Sequence, residues 1–336
     1  MLNDLAFAPI FIVGHPRSGS TLLASLLGEH TKIAALPETH FVRSSIYGGT
    51  PLKRWMAGRS LKAKVELIYT NVRLPDAGIE SEEFTRYCQQ QDVDPRSSAQ
   101  LLRAFLQLCR ERGGKDMILE KTPGHIAHVN EILKWIPQAK IIFTVRDARD
   151  AVSSLLRVKW THSNPKRHAA YWAWCVRKAI SAKTDYPGQV YIARYEDLVQ
   201  DPERSLRDMC DFLGVEYQEY KLAGERAQGV VPTWEMEWKR NSMSKIDPAH
   251  ANQWMKSGDP GLNALVERIA HAEMVSLGYV LSAPERYYTW RDRLYKGVYG
   301  LLTEAGILYR EYLSGKKNRF RERTLKHEAK SGSAKF

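Results

Sequence analysis

Apolar positions in the first two thirds of the chain fall into short unbroken runs that alternate with stretches of helical period. Pro9–Gly14 is a β-branched and aromatic run closed by glycine, the pattern of a strand buried on both faces. After a Gly/Ser/Thr stretch, Leu22, Leu23, Leu26 and Leu27 recur at helical spacing, so this region reads as strand, loop and helix, the first half of a βαβ unit. Lys32–Leu36, Met117–Leu119, Lys140–Val145 and Gln189–Ala193 read as four further strands. Residues 39–112 are mostly helical in pattern, with polar interruptions at Leu74–Glu80 and Gln90–Ser98. Pro123–Trp135 predicts a helix that opens on proline, whose missing N–H costs little there. Asp147–Arg157, Pro165–Thr184 and Pro202–Leu213, the last stopped by Gly214, predict three more. Strands alternating with helices define an α/β fold with a P-loop-like parallel sheet of about five strands flanked by helices.

The pattern changes after Gly278. Tyr287, Trp290, Leu294, Val298, Leu301, Leu308 and Tyr312 keep a helical period, and a basic tail follows through Lys316, Lys317, Arg319, Arg321, Arg323, Lys326 and Lys330. We expect an α/β domain over residues 1–280 and a C-terminal helical extension over 281–336 with a basic, partly disordered tail. The net charge of +12 calls for an anionic partner. No zinc spacing, RNA-recognition signature or homeodomain-like run is present, which argues against nucleic acid. A polyanionic small molecule, a membrane surface touched by the basic tail, and a second copy of the chain as homodimer partner stay open. Cys88, Cys109, Cys175 and Cys210 are dispersed and form no CxxC pair, which argues against a metal site and a disulfide framework and fits a reducing compartment. Ile10–Val13 is too short for a signal core, and no run reaches about 18 apolar residues, so the expectation is a soluble, cytoplasmic protein.

The loop after the first strand is Gly14-His15-Pro16-Arg17-Ser18-Gly19-Ser20-Thr21. Its Gly-x4-Gly-x-Thr frame departs from the nucleotide P-loop at one informative position: Ser20 stands where a triphosphate enzyme has lysine, and the cation sits inside the loop at Arg17. Backbone N–H groups at a helix N-terminus, with an arginine fork beside them, suit a tetrahedral oxyanion. His15 lies inside the turn and reads as structural. This loop resembles the 5′-phosphosulfate loop of the sulfotransferases that use 3′-phosphoadenosine 5′-phosphosulfate (PAPS). The resemblance implies that Arg17 contacts the phosphosulfate, that Gly19, Ser20 and Thr21 hold the 5′-phosphate, and that Ser18 is a further cofactor contact.

Val145-Arg146-Asp147-Ala148-Arg149-Asp150-Ala151-Val152-Ser153-Ser154 runs from a strand end into a helix, where open α/β sheets bind ligands. In the family a matching Arg, and a Ser eight residues later, grip the 3′-phosphate; Arg146 and Ser154 have that spacing. Arg149 and Asp150 read as surface residues. Tyr195-Glu196-Asp197-Leu198 is similar to a family segment on the adenosine side, which implies a cofactor contact for Tyr195. Ser242 and Ser244, with Lys245, correspond to a loop that covers the cofactor in the family. The likeness covers residues 9–215 well, is loose to about 280 and does not reach the tail.

Sulfuryl transfer needs a base for the acceptor hydroxyl and positive charge where the leaving phosphate develops its own. Glu38, after the second strand, should share a sheet edge with Arg17 and is the base candidate; Pro37-Glu38-Thr39 resembles the Glu-Thr pair of the protein-tyrosine sulfotransferase branch. Lys121, after the third strand, is a second cation for the bridging oxygen. The R-K-G-x-x-G-x-W segment of the small-phenol and steroid branch is reduced here to Trp254–Asp259, and that branch's catalytic His has no match, which points away from a small hydrophobic phenol. The resemblance implies an enzyme that takes PAPS, needs no metal, releases 3′,5′-ADP and sulfates a hydroxyl of a peptide tyrosine, a carbohydrate or a lipid. Two alternatives stand beside it: a P-loop kinase-like phosphotransferase, and a membrane-surface or protein-binding module with a vestigial nucleotide site.

Overall fold

A computed structural model describes residues 5–42, 60–69, 74–158, 161–220 and 246–282, with positions 290, 294, 296–299 and 301–302. Five strands form one sheet: β1 (Ile10–Gly14), β2 (Ile33–Ala35), β3 (Met117–Lys121), β4 (Lys140–Val145) and β5 (Val190–Arg194). The helices are α1 (Ser20–Leu27), α2 (Leu61–Tyr69), α3 (Ser81–Gln90), α4 (Ser98–Gly113), α5 (Val129–Trp135), α6 (Ala148–Leu156), α7 (Pro165–Asp185), α8 (Tyr195–Gln200), α9 (Pro202–Leu213), α10 (Gln253–Ser257) and α11 (Pro260–Ser276). The strand order is β2-β3-β1-β4-β5, and every neighbouring pair is parallel.

Side-chain alternation along the strands divides the core in two. Phe11, Val13, Ile118, Ile141 and Phe143 face α3–α7 and α11, whereas Ile10, Ile12, Leu119 and Ile142 face α1, α8 and α9. Both faces are covered, which is why the strands are almost wholly apolar. The chain leaves β1 toward β2 on one side and leaves β4 toward β5 on the other. The connections therefore part between β1 and β4, where Gly14 lies opposite Thr144, and a crevice opens at the carboxyl ends of these two strands.

Local chemistry explains most element ends. Asn164 caps α7 through the N–H groups of Lys166 and Arg167, with Pro165 in its first turn. Asp201 and Pro202 start α9 in the same manner, and Gly214 at φ 73° ends it. Several boundaries differ from those the sequence suggested: besides one-residue shifts elsewhere, Tyr195–Gln200 forms a helix of its own, α8. β3 runs on through Glu120 and Lys121, which pair with Phe11 and Ile12 of β1. Pro123–Trp135 is a 3₁₀ turn (Pro123–His128) followed by α5, with His128 at φ −127° interrupting the helical path. Lys32–Leu36 contracts to the three residues of β2.

All four cysteines are buried and free. Beyond α11, Lys296 Nζ lies 2.6 Å from Glu273 and Tyr299 packs on the core, while Trp290, Leu294, Val298, Leu301 and Leu302 are exposed. Tyr287, Leu308, Tyr312 and the basic tail lie outside the described residues. Among the described residues no helix is long and apolar enough to cross a membrane.

Candidate active site

The β1–α1 loop owes its shape to three backbone positions. Gly14 stands at φ 145°, and a Cβ there would lie 2.4 Å from the Thr144 carbonyl oxygen of β4. Gly19, at φ 83°, touches the Tyr195 ring so closely that a Cβ would meet Cδ2 at 2.4 Å. Only glycine fits either place. Arg17 between them adopts φ 70°, a left-handed conformation that a non-glycine residue holds at a cost, and such residues gather at ligand sites. Gly19 leads directly into α1, which has no side-chain cap and no acidic residue in its first turn. The N–H groups of that turn are thus left for an anion.

Arg17 Nε donates to Ser154 Oγ at 3.1 Å, so the first loop touches the helix that follows β4. Burial and then the nearby charges of Arg146 and Arg157 lower the pKa of Arg17 from its ordinary value. Arg146 stacks its guanidinium 4.7 Å from the centre of the Tyr195 ring and donates to the His250 carbonyl at 2.8 Å. Its Nε and the Ser18 hydroxyl are buried without hydrogen-bond partners. Arg17, Ser18, Gly19, Arg146, Ser154 and Tyr195 therefore share one crevice, rich in donors and cationic charge. That donor set fits a doubly anionic nucleotide: Arg17, Ser18 and the α1 N–H groups would face one phosphate, and Arg146 with Ser154 the other. His15, inside the same turn, is fully buried against Tyr171, and burial with the charge of His168 pushes its pKa down to about 3, so the imidazole stays neutral.

Glu38 and Lys121 meet at the neighbouring sheet edge. Lys121 Nζ donates to Glu38 Oε1 at 2.8 Å and to Thr21 Oγ1 at 3.5 Å, although the lysine is fully buried. Strand β3 so delivers beside α1 the cation that Ser20 fails to supply. The other Glu38 oxygen lies 3.7 Å from His40 Nε2.

Arg149 and Asp150 are not surface residues, as the sequence suggested. Arg149 is about 1% exposed, donating to both Asp147 oxygens at 2.9 and 2.5 Å and to Glu267 of α11 at 2.5 Å, under the Trp254 ring. Asp150 accepts from the N–H groups of Gln253 and Trp254 at 3.2 and 2.8 Å, anchoring the 246–259 segment beside Arg146; burial raises its pKa. Glu196 accepts from the Asp147 N–H at 2.9 Å and from the Tyr279 hydroxyl at 3.0 Å, which holds the turn after β4 in place. Asp147 and Arg146 are near neighbours of Arg149 and Asp150, but Glu267, Gln253, Trp254 and Tyr279 lie far away in sequence, so spacing gave no signal for the burial. Ser242, Ser244 and Lys245 lie outside the described residues. Among the described residues no group of three His, Cys, Asp or Glu could hold a metal ion.

This parallel sheet, with an anion loop after its central strand and a second basic turn after β4, defines a P-loop-like transferase fold. The sulfotransferase family model matches residues 9–219, and the chain belongs to the sulfotransferase family. It is 25% identical to protein-tyrosine sulfotransferase 1 of Danio rerio over 227 residues, 66% of this chain and 57% of that protein. It is 27% identical to omega-hydroxy-beta-dihydromenaquinone-9 sulfotransferase Stf3 of Mycobacterium bovis over 248 residues, 63% of this chain and 64% of that protein. The chain thus spans about three fifths of the length of these two curated relatives. Among solved structures, the sulfotransferase domain of the Synechococcus PCC 7002 olefin synthase is similar in fold, with a TM-score of 0.57 at 22% identity, covering 83% of this chain and 98% of that one.

Proposed function

We propose that this chain transfers the sulfuryl group of PAPS to an acceptor hydroxyl, with Glu38 as general base. The observation that carries this reading is the position of Lys121, which bridges Glu38 at 2.8 Å and Thr21 of the anion loop at 3.5 Å. A base and a cation at the mouth of a phosphate loop suit in-line attack on a group bound there. The acceptor oxygen attacks sulfur as Glu38 takes its proton. The bond between sulfur and the bridging oxygen breaks, and 3′,5′-ADP leaves with the electron pair, its new charge met by Lys121 and Arg17. Gly19, Ser20 and Thr21 would hold the 5′-phosphate, Arg146 and Ser154 the 3′-phosphate, and Tyr195 the adenosine side. Ser242 and Ser244 are proposed to cover the cofactor.

For the acceptor we propose a hydroxyl on a peptide tyrosine, a carbohydrate or a lipid. The names of the two relatives, one acting on protein tyrosine and one on an omega-hydroxylated dihydromenaquinone, favour a hydroxyl on a larger molecule. Glu38→Gln keeps shape and hydrogen-bond reach but removes the proton acceptor. It should bind 3′,5′-ADP like the wild type in calorimetry and lose roughly 10²–10⁴ in turnover. Normal turnover in that variant would assign the proton to another residue.

A further inference from the structure

We propose that Glu120 is a positioning residue that holds the turn presenting Glu38; the proposal rests on the reading of Glu38 as the base. Glu120 lies in β3, one residue before Lys121, and the pleat sends the two side chains to opposite faces of the sheet. Glu120 is about 1% exposed, and both of its carboxylate oxygens are taken up by protein groups. A carboxylate so buried persists only when donors surround it. Burial pushes its pKa up, but the charge of His125 and hydrogen bonds from His125, Thr122 and Thr39 outweigh burial and hold it below the usual carboxylate value.

These donors lead to one stretch of backbone. Oε1 of Glu120 accepts from the Thr39 N–H at 3.2 Å, the Thr39 hydroxyl at 2.8 Å and the Thr122 hydroxyl at 2.5 Å. The Thr122 hydroxyl in turn accepts from the His40 N–H at 3.2 Å, and the Thr39 hydroxyl from the Phe41 N–H at 3.2 Å. Three consecutive backbone N–H groups, those of residues 39, 40 and 41, thus end on one carboxylate, directly or through a single hydroxyl. His125 Nδ1 occupies the other oxygen at 3.0 Å. The stretch needs such a hold, because His40 sits at φ 55°, a left-handed conformation that surrounding contacts must enforce. Glu38 immediately precedes it, and its carboxylate meets Lys121 from the same strand that carries Glu120. One strand therefore carries, on successive residues, the cation beside the base and the anchor of the base's turn. Lys121 holds the Glu38 carboxylate toward the anion loop, while the Glu120 network holds the backbone that follows it.

A role confined to stability would lower the melting temperature of a variant without changing the turn or the turnover of its folded fraction. The test uses full-length Glu120→Gln, Thr122→Val and Thr122→Ser, with and without Glu38→Gln. Three readouts are taken: calorimetry with 3′,5′-ADP, amide hydrogen exchange at residues 39–41 against strand β1, and label transfer from PAPS to a tyrosine peptide and to a long-chain primary alcohol. Expected are unchanged 3′,5′-ADP affinity, faster exchange at residues 39–41 alone, and a turnover loss on the order of 10²-fold from a displaced catalytic group, absent when Glu38 is already Gln. Thr122→Ser, which keeps the hydroxyl, should restore the wild-type values. Exchange unchanged in both Glu120→Gln and Thr122→Val would overturn the proposal, as would a turnover loss of equal size in the Glu38→Gln background. Wild-type turnover in Glu38→Gln alone would instead overturn the base reading, and the exchange data would still decide whether Glu120 holds the turn.

Discussion

Arg17 joins the two loops of the crevice, since its left-handed backbone sends the guanidinium to Ser154 across the switch point. Arg17→Ala removes that link and a charge-assisted donor together. Turnover should fall on the order of 10²–10³-fold, the usual loss for one oxyanion donor, and calorimetry with 3′,5′-ADP should show weakened binding. Unchanged binding and turnover would sink the assignment of this loop. At the level of single residues, chemistry and local spacing in the sequence singled out groups that the fold brings into contact: Arg17 in its glycine frame with Ser154, and Glu38 with Lys121. They misread Arg149 and Asp150 as surface residues and assigned no role to Glu120 or Glu196. A charged side chain is usually exposed, so each reads as a solvated surface group until its partners are known. Those partners, such as Thr39 for Glu120 and Glu267 for Arg149, come together only in the folded chain.

The strands and the helices after β1, β4 and β5 were legible because a strand covered on both faces must be an apolar run and a helix that packs on it must keep a 3.6 period. Boundaries were less so. The strand reading stopped β3 at Leu119 because Glu120 and Lys121 break the apolar run, yet their backbones still pair with β1. The 3₁₀ turn at Pro123–His128 has the same apolar content as a helix, and only its dihedral angles set it apart. What these elements place together is testable. Arg146 stands between β4 and the N-cap of α6, braced by the Tyr195 ring and the His250 carbonyl, and Ser154 lies on the second turn of that helix. If they hold the 3′-phosphate, Arg146→Ala and Ser154→Ala should weaken binding of 3′,5′-ADP far more than binding of 5′-AMP in calorimetric titrations. Equal losses for the two ligands would give this turn another task.

The whole molecule divides, on our reading, into a catalytic unit over residues 1–280 and an extension over 281–336. Among the extension's described residues, Lys296 reaches Glu273 and Tyr299 packs on the core, while Trp290, Leu294, Val298, Leu301 and Leu302 are exposed. An exposed apolar stripe followed by clustered Lys and Arg suits the surface of an anionic bilayer, where each basic residue contributes about 1 kcal/mol. The full chain should sediment with phosphatidylserine-containing vesicles at low salt and not at high salt, and truncation after Pro284 should abolish this. No binding at low salt, with an insoluble truncated chain, would show that the stripe packs against protein instead. Which group is transferred is decided by a double-label experiment. The protein is incubated with sulfur-35-labelled PAPS and a fractionated extract, in parallel with γ-phosphorus-32-labelled ATP and Mg²⁺. Sulfur label is expected on a hydroxyl-bearing compound, matched by release of 3′,5′-ADP and independent of Mg²⁺, with no phosphate transfer. Phosphorus label on an acceptor, with the sulfur label left on PAPS, would contradict it.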